Sequence, residues 1–404
     1  MILAVGAVAA VTVTAALLMP LFGVGKLRVV HVALFGAPLF FVGAKQYDAT
    51  GEILAIVAVH ALAVFAGFYT VRATQSAQRQ PRHGISIRRS PVVILIAITG
   101  TVLHFGVTGI PLFSGDVEIS RLELGSSGMA GFPSRMYLYG LTIGLLWSVG
   151  EARLLRDDWF RDKWVIAAMA AYSVSRVLGG FKSGLLQVEI TIVLILILLW
   201  GGIRLPRYAG RLFLAGGASL AFVFLIATTY SSYQSTSVVD SLAARLTSVS
   251  VEPVAMVLQS ENAYLGEDRT PLVLDSQYFA ARYFGVGEQS YGFTKLIAAR
   301  WVGESPLADR IFPPVTLNGG AVLSRQFGLA VSIILMLVVG RLMAMLEVGG
   351  QRTCSPMVFM LSGVALVAMI EFISRGEIVY SIINWSASVF FLVALSRVLH
   401  IKVS

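Results

Sequence analysis

The chain has 404 residues, of which 56% are hydrophobic and 13% are charged, whereas soluble globular domains carry about 25% charged residues. This composition excludes an ordinary soluble enzyme. The net charge of +9, from 31 Lys and Arg against 22 Asp and Glu, would indicate nucleic acid as the partner of a soluble protein. In a membrane protein it marks basic cytoplasmic loops instead, so no nucleic acid is expected.

Each transmembrane helix needs roughly 20 apolar residues, and the chain contains about 11 such runs. We therefore predict an all-α fold, a polytopic integral membrane protein with about 11 transmembrane helices. Residues 1–404 form a single transmembrane domain in this prediction. The predicted spans in chain order are 2–23, 28–43, 53–71, 91–110, 135–150, 164–180, 185–202, 212–229, 322–343, 356–374 and 379–398.

The loops that follow odd-numbered spans are densely basic, at 24–28, 72–90, 151–163 and 203–211. By the positive-inside rule they are cytoplasmic. This orientation puts the N-terminus outside and the C-terminus inside. It also puts the long segment 230–321 outside, between the eighth and ninth spans, where we expect short helices on the outer membrane surface. Within that segment, Gln277 to Phe284 places Tyr278 near Arg282 on a short helix, which suits a membrane-surface helix or a platform for a sugar ring.

Arginine and lysine also occur on or near the outer face, where positive charge is normally scarce. The outer set is Lys45, Arg121, Arg135, Arg176, Lys182, Arg245, Arg269, Arg282, Lys295, Arg300, Arg310, Arg325 and Arg375. Long translocated loops largely escape the charge rule, so the short-loop members are the more informative ones. They either pair with local carboxylates and lipid headgroups, or converge on a phosphate or diphosphate, which arginine binds through two parallel hydrogen bonds. For the set as a whole we favour the second interpretation.

Other chemistries find little support in the sequence. The chain has one cysteine, Cys354, and no Cys/His cluster predicts a metal. The motifs of zinc hydrolases, P-loop NTPases and serine hydrolases do not occur, so we expect no cofactor and no metal. His60 and His104 fall inside spans, where we interpret them as hydrogen-bonded core histidines, and Glu189 is the intramembrane acid that a proton-coupled transporter would use.

Several short stretches lie at loops and span ends: Gly109 to Ser114 leading to Arg121, Gly179 to Gly184, Leu242 to Leu246, Pro313 to Thr316, Gly319-Gly320, Phe327-Gly328 and Gly340. In these stretches and in loop placement the chain resembles the integral-membrane polymerases of bacterial oligosaccharide repeat units, the O-antigen polymerase type, and more distantly the O-antigen ligases. The resemblance covers most of the chain from about residue 100 onward.

This resemblance implies a metal-independent glycosyltransferase of the bacterial inner membrane. Such an enzyme joins polyprenyl-diphosphate-linked oligosaccharides at the outer face, among membrane lipids and with a chain-length regulator protein as a partner. Two departures are visible. Lys182 stands where many relatives have arginine, and Asn318 lies near the re-entry into the membrane, where the ligase branch has a histidine.

The mechanism needs cations to stabilise the leaving diphosphate and a base to accept the acceptor's proton. We expect Arg245 and Arg375 to act on the diphosphate and Glu377 to be the base, with Glu252 or Asp240 as alternates. We expect the substrate to be bound by Arg121, Arg135, Lys182, Arg282, Arg325 and Tyr278. The alternatives are a transporter or flippase for the same lipid-linked substrate, an O-antigen ligase, and an assembly subunit without chemistry.

Overall fold

The computed structural model describes most of the apolar segments and leaves gaps between them. Structure is described for residues 2–35, 37, 40–41, 51–71, 88–115, 117, 120, 131–155, 158–180, 184–204, 217–218, 221–222, 224–225, 251, 253–258, 270–284, 286, 292–293, 296–297, 318–376 and 378–398.

The described residues are helical apart from turns and one isolated antiparallel bridge between Leu27 and Ile203. In chain order the helices are α1 (Ile2–Leu18), α2 (Val29–Ala33), α3 (Gly51–Thr70), α4 (Ser90–Thr108), α5 (Phe132–Arg135), α6 (Leu141–Leu155), α7 (Lys163–Leu178), α8 (Gly184–Trp200), α9 (Pro271–Phe284), α10 (Gly319–Phe327), α11 (Leu329–Arg352), α12 (Pro356–Arg375) and α13 (Ile378–Val398). A π-helical turn, Met136–Gly140, joins α5 to α6.

In the described part of the chain, five helices are long and apolar enough to cross a bilayer: α3, α4, α11, α12 and α13. The protein is therefore an all-helical membrane protein. Further apolar helices, such as α8, are shorter. The predicted span 212–229 lies almost wholly outside the described residues, so the predicted number of spans stays a prediction.

The predicted ninth span, 322–343, does not match one helix. The chain instead forms the short helix α10, breaks at Gly328, and restarts as α11. Gly328 has a φ of 81°, a left-handed conformation that glycine adopts at no steric cost. Hydropathy averaged over 322–343 missed the break because the polar residues Ser324, Arg325 and Gln326 are outnumbered by the apolar residues of the span.

The core of the bundle is built on the close packing of α3 against α11. A side chain on Gly67 would meet the backbone of Leu337, and one on Gly340 would meet the carbonyl of Val64. Small residues at such positions let two helix backbones approach closely, which is how helices associate in a bilayer. Helix α1 packs on α3, where Gly6 faces Ala55.

Several segments meet at one end of the bundle, which we call the basic end: residues 24–28, 88–90, 151–155, 158–163, 201–204 and 350–355. The bridge between Leu27 and Ile203 joins two of them, with N···O distances of 2.8 and 3.0 Å. Arg153 donates hydrogen bonds to the carbonyls of Gly350, Gln351 and Thr353, which belong to the segment 350–355. The chain thus brings segments far apart in sequence to a common face.

The other helix termini form what we call the opposite end: residues 109–115, 117, 131–135, 178–180, 318–320 and 372–376. A side chain on Gly180 would touch Val117 and Pro111, and one on Gly319 would touch Phe372. The described pieces of the long segment join this end, since Val254, Leu274 and Phe293 pack with residues of α3 and α10 in one apolar cluster.

Candidate functional site

At the basic end, buried carboxylates hold the arginines. Arg28 forms an ion pair with Glu347, whose side chain is fully buried, and Glu347 also accepts hydrogen bonds from the Val29 amide at 3.2 Å and from Gln351 Nε2 at 3.0 Å. Such contacts fix helix ends to one another. They indicate a structural role for this end.

A second group at the basic end surrounds Arg88, which bonds Asp162 at 2.6 Å and lies 3.5 Å from Glu151. Asp162 caps α7 by accepting from the amides of Trp164 and Val165. Burial by itself would raise the pKa of Asp162, but the hydrogen bond and charge of Arg88 and the two amides outweigh burial, so the pKa is lowered from its ordinary value. The carboxylate is therefore held ionised at the helix N-terminus.

The opposite end is shaped by the π-helical turn between α5 and α6. Interruptions of this kind occur frequently at functional sites, because they re-aim side chains that a regular helix would place elsewhere. The turn buries Tyr137 and Tyr139. Tyr137 stacks on His104, with ring centroids 4.9 Å apart and planes inclined by 21°.

Arg176, in the last turn of α7, contacts the same turn. Its side chain lies over the rings of Tyr137 and Tyr172, at 5.5 and 5.2 Å from their centroids, and its NH2 group donates to the carbonyl of Leu138 at 2.7 Å. Arg176 is only 5% exposed. Among the described residues no carboxylate lies within ion-pair distance of it, and its Nε has no hydrogen-bond partner there.

His104 and Ser134 complete the group that we call the Arg176 cluster: His104, Ser134, Arg135, Tyr137 and Arg176. The Nδ1 atom of His104 lies 3.2 Å from Ser134 Oγ, while its buried Nε2 has no partner in the described part of the chain. Arg135 follows Ser134 directly, at the end of α5. The cluster therefore combines a buried guanidinium with unused donors, which suits an anionic oxygen ligand.

A separate polar group lies where α10 meets α11. His60, fully buried in α3, has its Nε2 2.8 Å from Ser332 Oγ and 3.3 Å from Ser324 Oγ, and the two hydroxyl oxygens are 2.8 Å apart. We interpreted His60 as a core histidine, and these hydrogen bonds agree with that interpretation. His60 also lies close to the helix break at Gly328, so it is a candidate binding residue in the transporter alternative.

The structure places some of the predicted site residues and not others. Arg135 belongs to the Arg176 cluster, Arg325 lies in the last turn of α10, and Arg375 is the last residue of α12. On α9, Tyr278 lies near Gly292, whereas Arg282 is placed by its backbone alone. The residues outside the described part of the chain are Arg121, Lys182, Asp240, Arg245, Glu252 and Glu377.

Sequence reasoning placed Arg176 among the informative outer cations but not among the expected site residues, and it gave Ser134 and Tyr137 no role. A signal was present, because Arg176 is a lone cation at the end of an apolar helix, just before Gly179 and Gly180. The stacking of His104 on Tyr137 has no such signal, since the two residues lie 33 positions apart and on different helices.

No group of three or more His, Cys, Asp or Glu side chains that could hold a metal ion occurs among the described residues. No protein-family model, no curated protein and no solved structure matches this chain. The functional interpretation therefore depends on the chain's own residues.

Proposed function

We propose that this membrane protein is a glycosyltransferase that polymerises polyprenyl-diphosphate-linked oligosaccharide repeat units at the outer face of the bacterial inner membrane. The observation that carries the proposal is Arg176, a buried and permanently charged side chain with no carboxylate beside it among the described residues. A buried cation without a counter-charge is costly. A diphosphate of the substrate would supply that counter-charge.

The proposed reaction is a displacement at the anomeric carbon of the lipid-linked sugar. An acceptor hydroxyl oxygen forms a bond to that carbon, the bond to the diphosphate oxygen breaks, and the lipid diphosphate leaves with the electron pair. The hydroxyl proton passes to a carboxylate base, for which Glu377 remains our prediction. Preorganised guanidinium groups stabilise the charge that develops on the leaving group, and Arg176 joins Arg245 and Arg375 in that role.

The first experiment is substitution of Arg176 in cells that depend on the protein for polymer. We expect Arg176→Lys to accumulate normally in the membrane and to make at least tenfold less long polymer, because a lysine ammonium cannot form the two parallel bonds of a guanidinium. Arg161→Lys is the matched control, since Arg161 is 83% exposed at the basic end. Full-length polymer from Arg176→Lys at normal protein level would refute the role of Arg176.

The second experiment separates the related functions by the glycans that accumulate on deletion of the gene. Single capped repeats indicate a polymerase, uncapped lipid A core indicates a ligase, and substrate trapped on the inner leaflet indicates a flippase. An unchanged glycan profile would overturn the saccharide proposal. Full-length polymer from both Arg245→Lys and Arg375→Ala would overturn the diphosphate contacts assigned to those two residues.

A transporter of the same lipid-linked substrate is the second candidate, and the break at Gly328 favours it. Interrupted helices beside polar intramembrane groups are typical of transporter binding sites, and the pair α10–α11 with His60, Ser324 and Ser332 has that arrangement. Translocation of a fluorescent lipid-linked sugar by the purified protein in liposomes tests it. Transport that His60→Gln abolishes, with no polymer made in the same vesicles, would favour the transporter.

A further inference from the structure

An elongated apolar groove lies between α11, α12 and α13. Its cavity volume is about 700 Å³, which is within the range of roughly 300–1,000 Å³ typical of small-molecule sites. Almost all the side chains that line it are hydrocarbon or aromatic, and Leu323 of α10 is one of them. A groove of this length and chemistry accommodates a hydrocarbon chain.

The lining residues of α12 form one continuous stripe. Met357, Leu361, Val364, Ala368 and Phe372 all line the groove, at the spacing of three or four residues that keeps side chains on one face of a helix. From Met357 to Phe372 the stripe rises roughly 22 Å, at about 1.5 Å per residue, against a hydrocarbon core of about 30 Å. The groove therefore follows most of the depth of one bilayer.

A cation continues this stripe at the opposite end. Arg375 follows Phe372 by three residues, so it lies on the same face of α12, one turn beyond the last lining residue. The surface thus changes from hydrocarbon to guanidinium where α12 ends, which matches a molecule with a long apolar tail and an anionic head.

The groove is also connected to the Arg176 cluster. Trp385 lines the groove, donates from Nε1 to Glu371 at 2.9 Å, and packs edge-on against Tyr139 with centroids 4.6 Å apart. Tyr139 belongs to the same π-helical turn as Tyr137, on which Arg176 lies. One end of the groove is therefore linked by direct contacts to the buried cation.

We propose that this groove holds the polyisoprenoid chain of the lipid-linked substrate, with its phosphate groups beside Arg375. The proposal rests on the proposed function, because it names the part of that substrate which the groove takes. A single chain anchored by a phosphate fits the one-sided arrangement of the lining, with a cation at one end. A phospholipid occupant is the alternative that the experiment distinguishes.

The first test uses a photoreactive polyprenyl phosphate and the full-length protein in lipid nanodiscs, with cross-linked peptides identified by mass spectrometry. We expect cross-links on α12 and α13 in the wild type and at least a tenfold loss in Ala368→Trp, whose indole would fill the groove. Ile334→Trp is the matched control, because Ile334 is 62% exposed on α11 and does not line the groove. Ala365→Phe is a second, smaller filling variant that serves if Ala368→Trp fails to fold.

The second test separates the tail from the head. Arg375→Gln should weaken binding of polyprenyl phosphate severalfold and leave binding of uncharged polyprenol unchanged. If excess phosphatidylglycerol displaces the probe as well as unlabelled polyprenyl phosphate does, the groove takes ordinary lipid and the proposal is wrong. Cross-linking that both filling variants retain, or that maps away from α12 and α13, would also overturn it.

These outcomes are independent of whether the protein makes polymer. Specific cross-linking in the groove with an unchanged glycan profile after deletion would keep the lipid site and reject the glycosyltransferase. Loss of polymer after deletion, together with normal polymer and undiminished cross-linking in the filling variants, would keep the glycosyltransferase and reject the groove.

Discussion

Replacement of Glu347 by glutamine removes the charge of the most buried carboxylate at the basic end and almost preserves its shape. In the wild type this carboxylate pairs with Arg28, whose side chain is 17% exposed, and accepts from the Val29 amide and from Gln351. The glutamine amide can still accept one of these bonds but cannot neutralise the guanidinium. The variant therefore leaves a largely buried cation without its partner.

Removing one member of a buried ion pair typically costs about 3–5 kcal/mol, which is a large fraction of a total stability of about 5–15 kcal/mol. At about 2 °C per kcal/mol, we expect the apparent Tm of Glu347→Gln to fall by roughly 6–10 °C. Replacing both partners with apolar residues of similar volume often restores stability. The double variant Arg28→Met with Glu347→Leu should therefore recover most of the loss.

In the assay the purified protein is heated in detergent to a series of temperatures. Size-exclusion chromatography then measures the fraction that is still folded at each temperature. Arg341→Gln is the control, because Arg341 is exposed on the same helix, and its Tm should change little. The coupling between Arg28 and Glu347 follows from the single variants Arg28→Met and Glu347→Leu and the double variant that combines them. A Glu347→Gln protein as stable as the wild type, or losses that simply add in the double variant, would refute the reasoning.

Two further predictions concern stability. The pKa of Asp162 is lowered in the folded protein, so the unfolded chain binds more protons between that pKa and the ordinary value of about 3.9, and stability falls as the pH falls through this window. Melting curves from pH 7 to pH 3 should show the advantage of the wild type over Asp162→Asn shrinking with acid; an unchanged gap would contradict the assignment. Gly340→Leu should reduce the yield of folded protein severalfold, because the new side chain meets the carbonyl of Val64. Gly349→Leu, which meets nothing within 4 Å on the same helix, is its control, and equal yields would refute the close packing.

The sequence was sufficient to predict several helices of this fold. Each apolar run that became α3, α12 or α13 is bounded by charged residues, glycine or proline, so hydropathy predicted their limits to within about two residues. The ninth span was predicted wrongly because a single glycine, Gly328, separates the short helix α10 from the apolar helix α11. Hydropathy averaged over a span cannot detect one backbone conformation.

The candidate site was less predictable than the fold. The sequence indicated that arginine accumulates near the opposite end, but the partners of each cation depend on contacts between distant segments. Arg28 and Glu347 are separated by 319 positions, and nothing in either local pattern indicates that they meet. The same holds for His104 and Tyr137, whose stacking depends on a π-helical turn that departs from the ordinary helical spacing.

The half-buried Arg153 and the buried Arg176, at the two ends of the bundle, have different partners. Arg153, at the basic end, donates to the carbonyls of Gly350, Gln351 and Thr353, which form the negative terminus of α11. Arg176 has one carbonyl and two tyrosine rings, and cation–π contacts contribute only about 1–2 kcal/mol. Arg153 is therefore satisfied by the fold itself, whereas the described residues supply no carboxylate to Arg176, and our proposal assigns that counter-charge to a bound anion.

Thermal unfolding with and without pyrophosphate distinguishes these two roles. Ligand at about 100 times its Kd stabilises the folded state by about 2.7 kcal/mol, so pyrophosphate should raise the Tm of the wild type by several degrees. Arg153→Lys should lower the Tm of the free protein and keep the pyrophosphate shift, because its carbonyl contacts are structural. Arg176→Lys should leave the free protein nearly as stable and lose most of the shift. If the two variants behaved alike, the arginines at the two ends would have the same role, and Arg176 would be one more structural contact of α7.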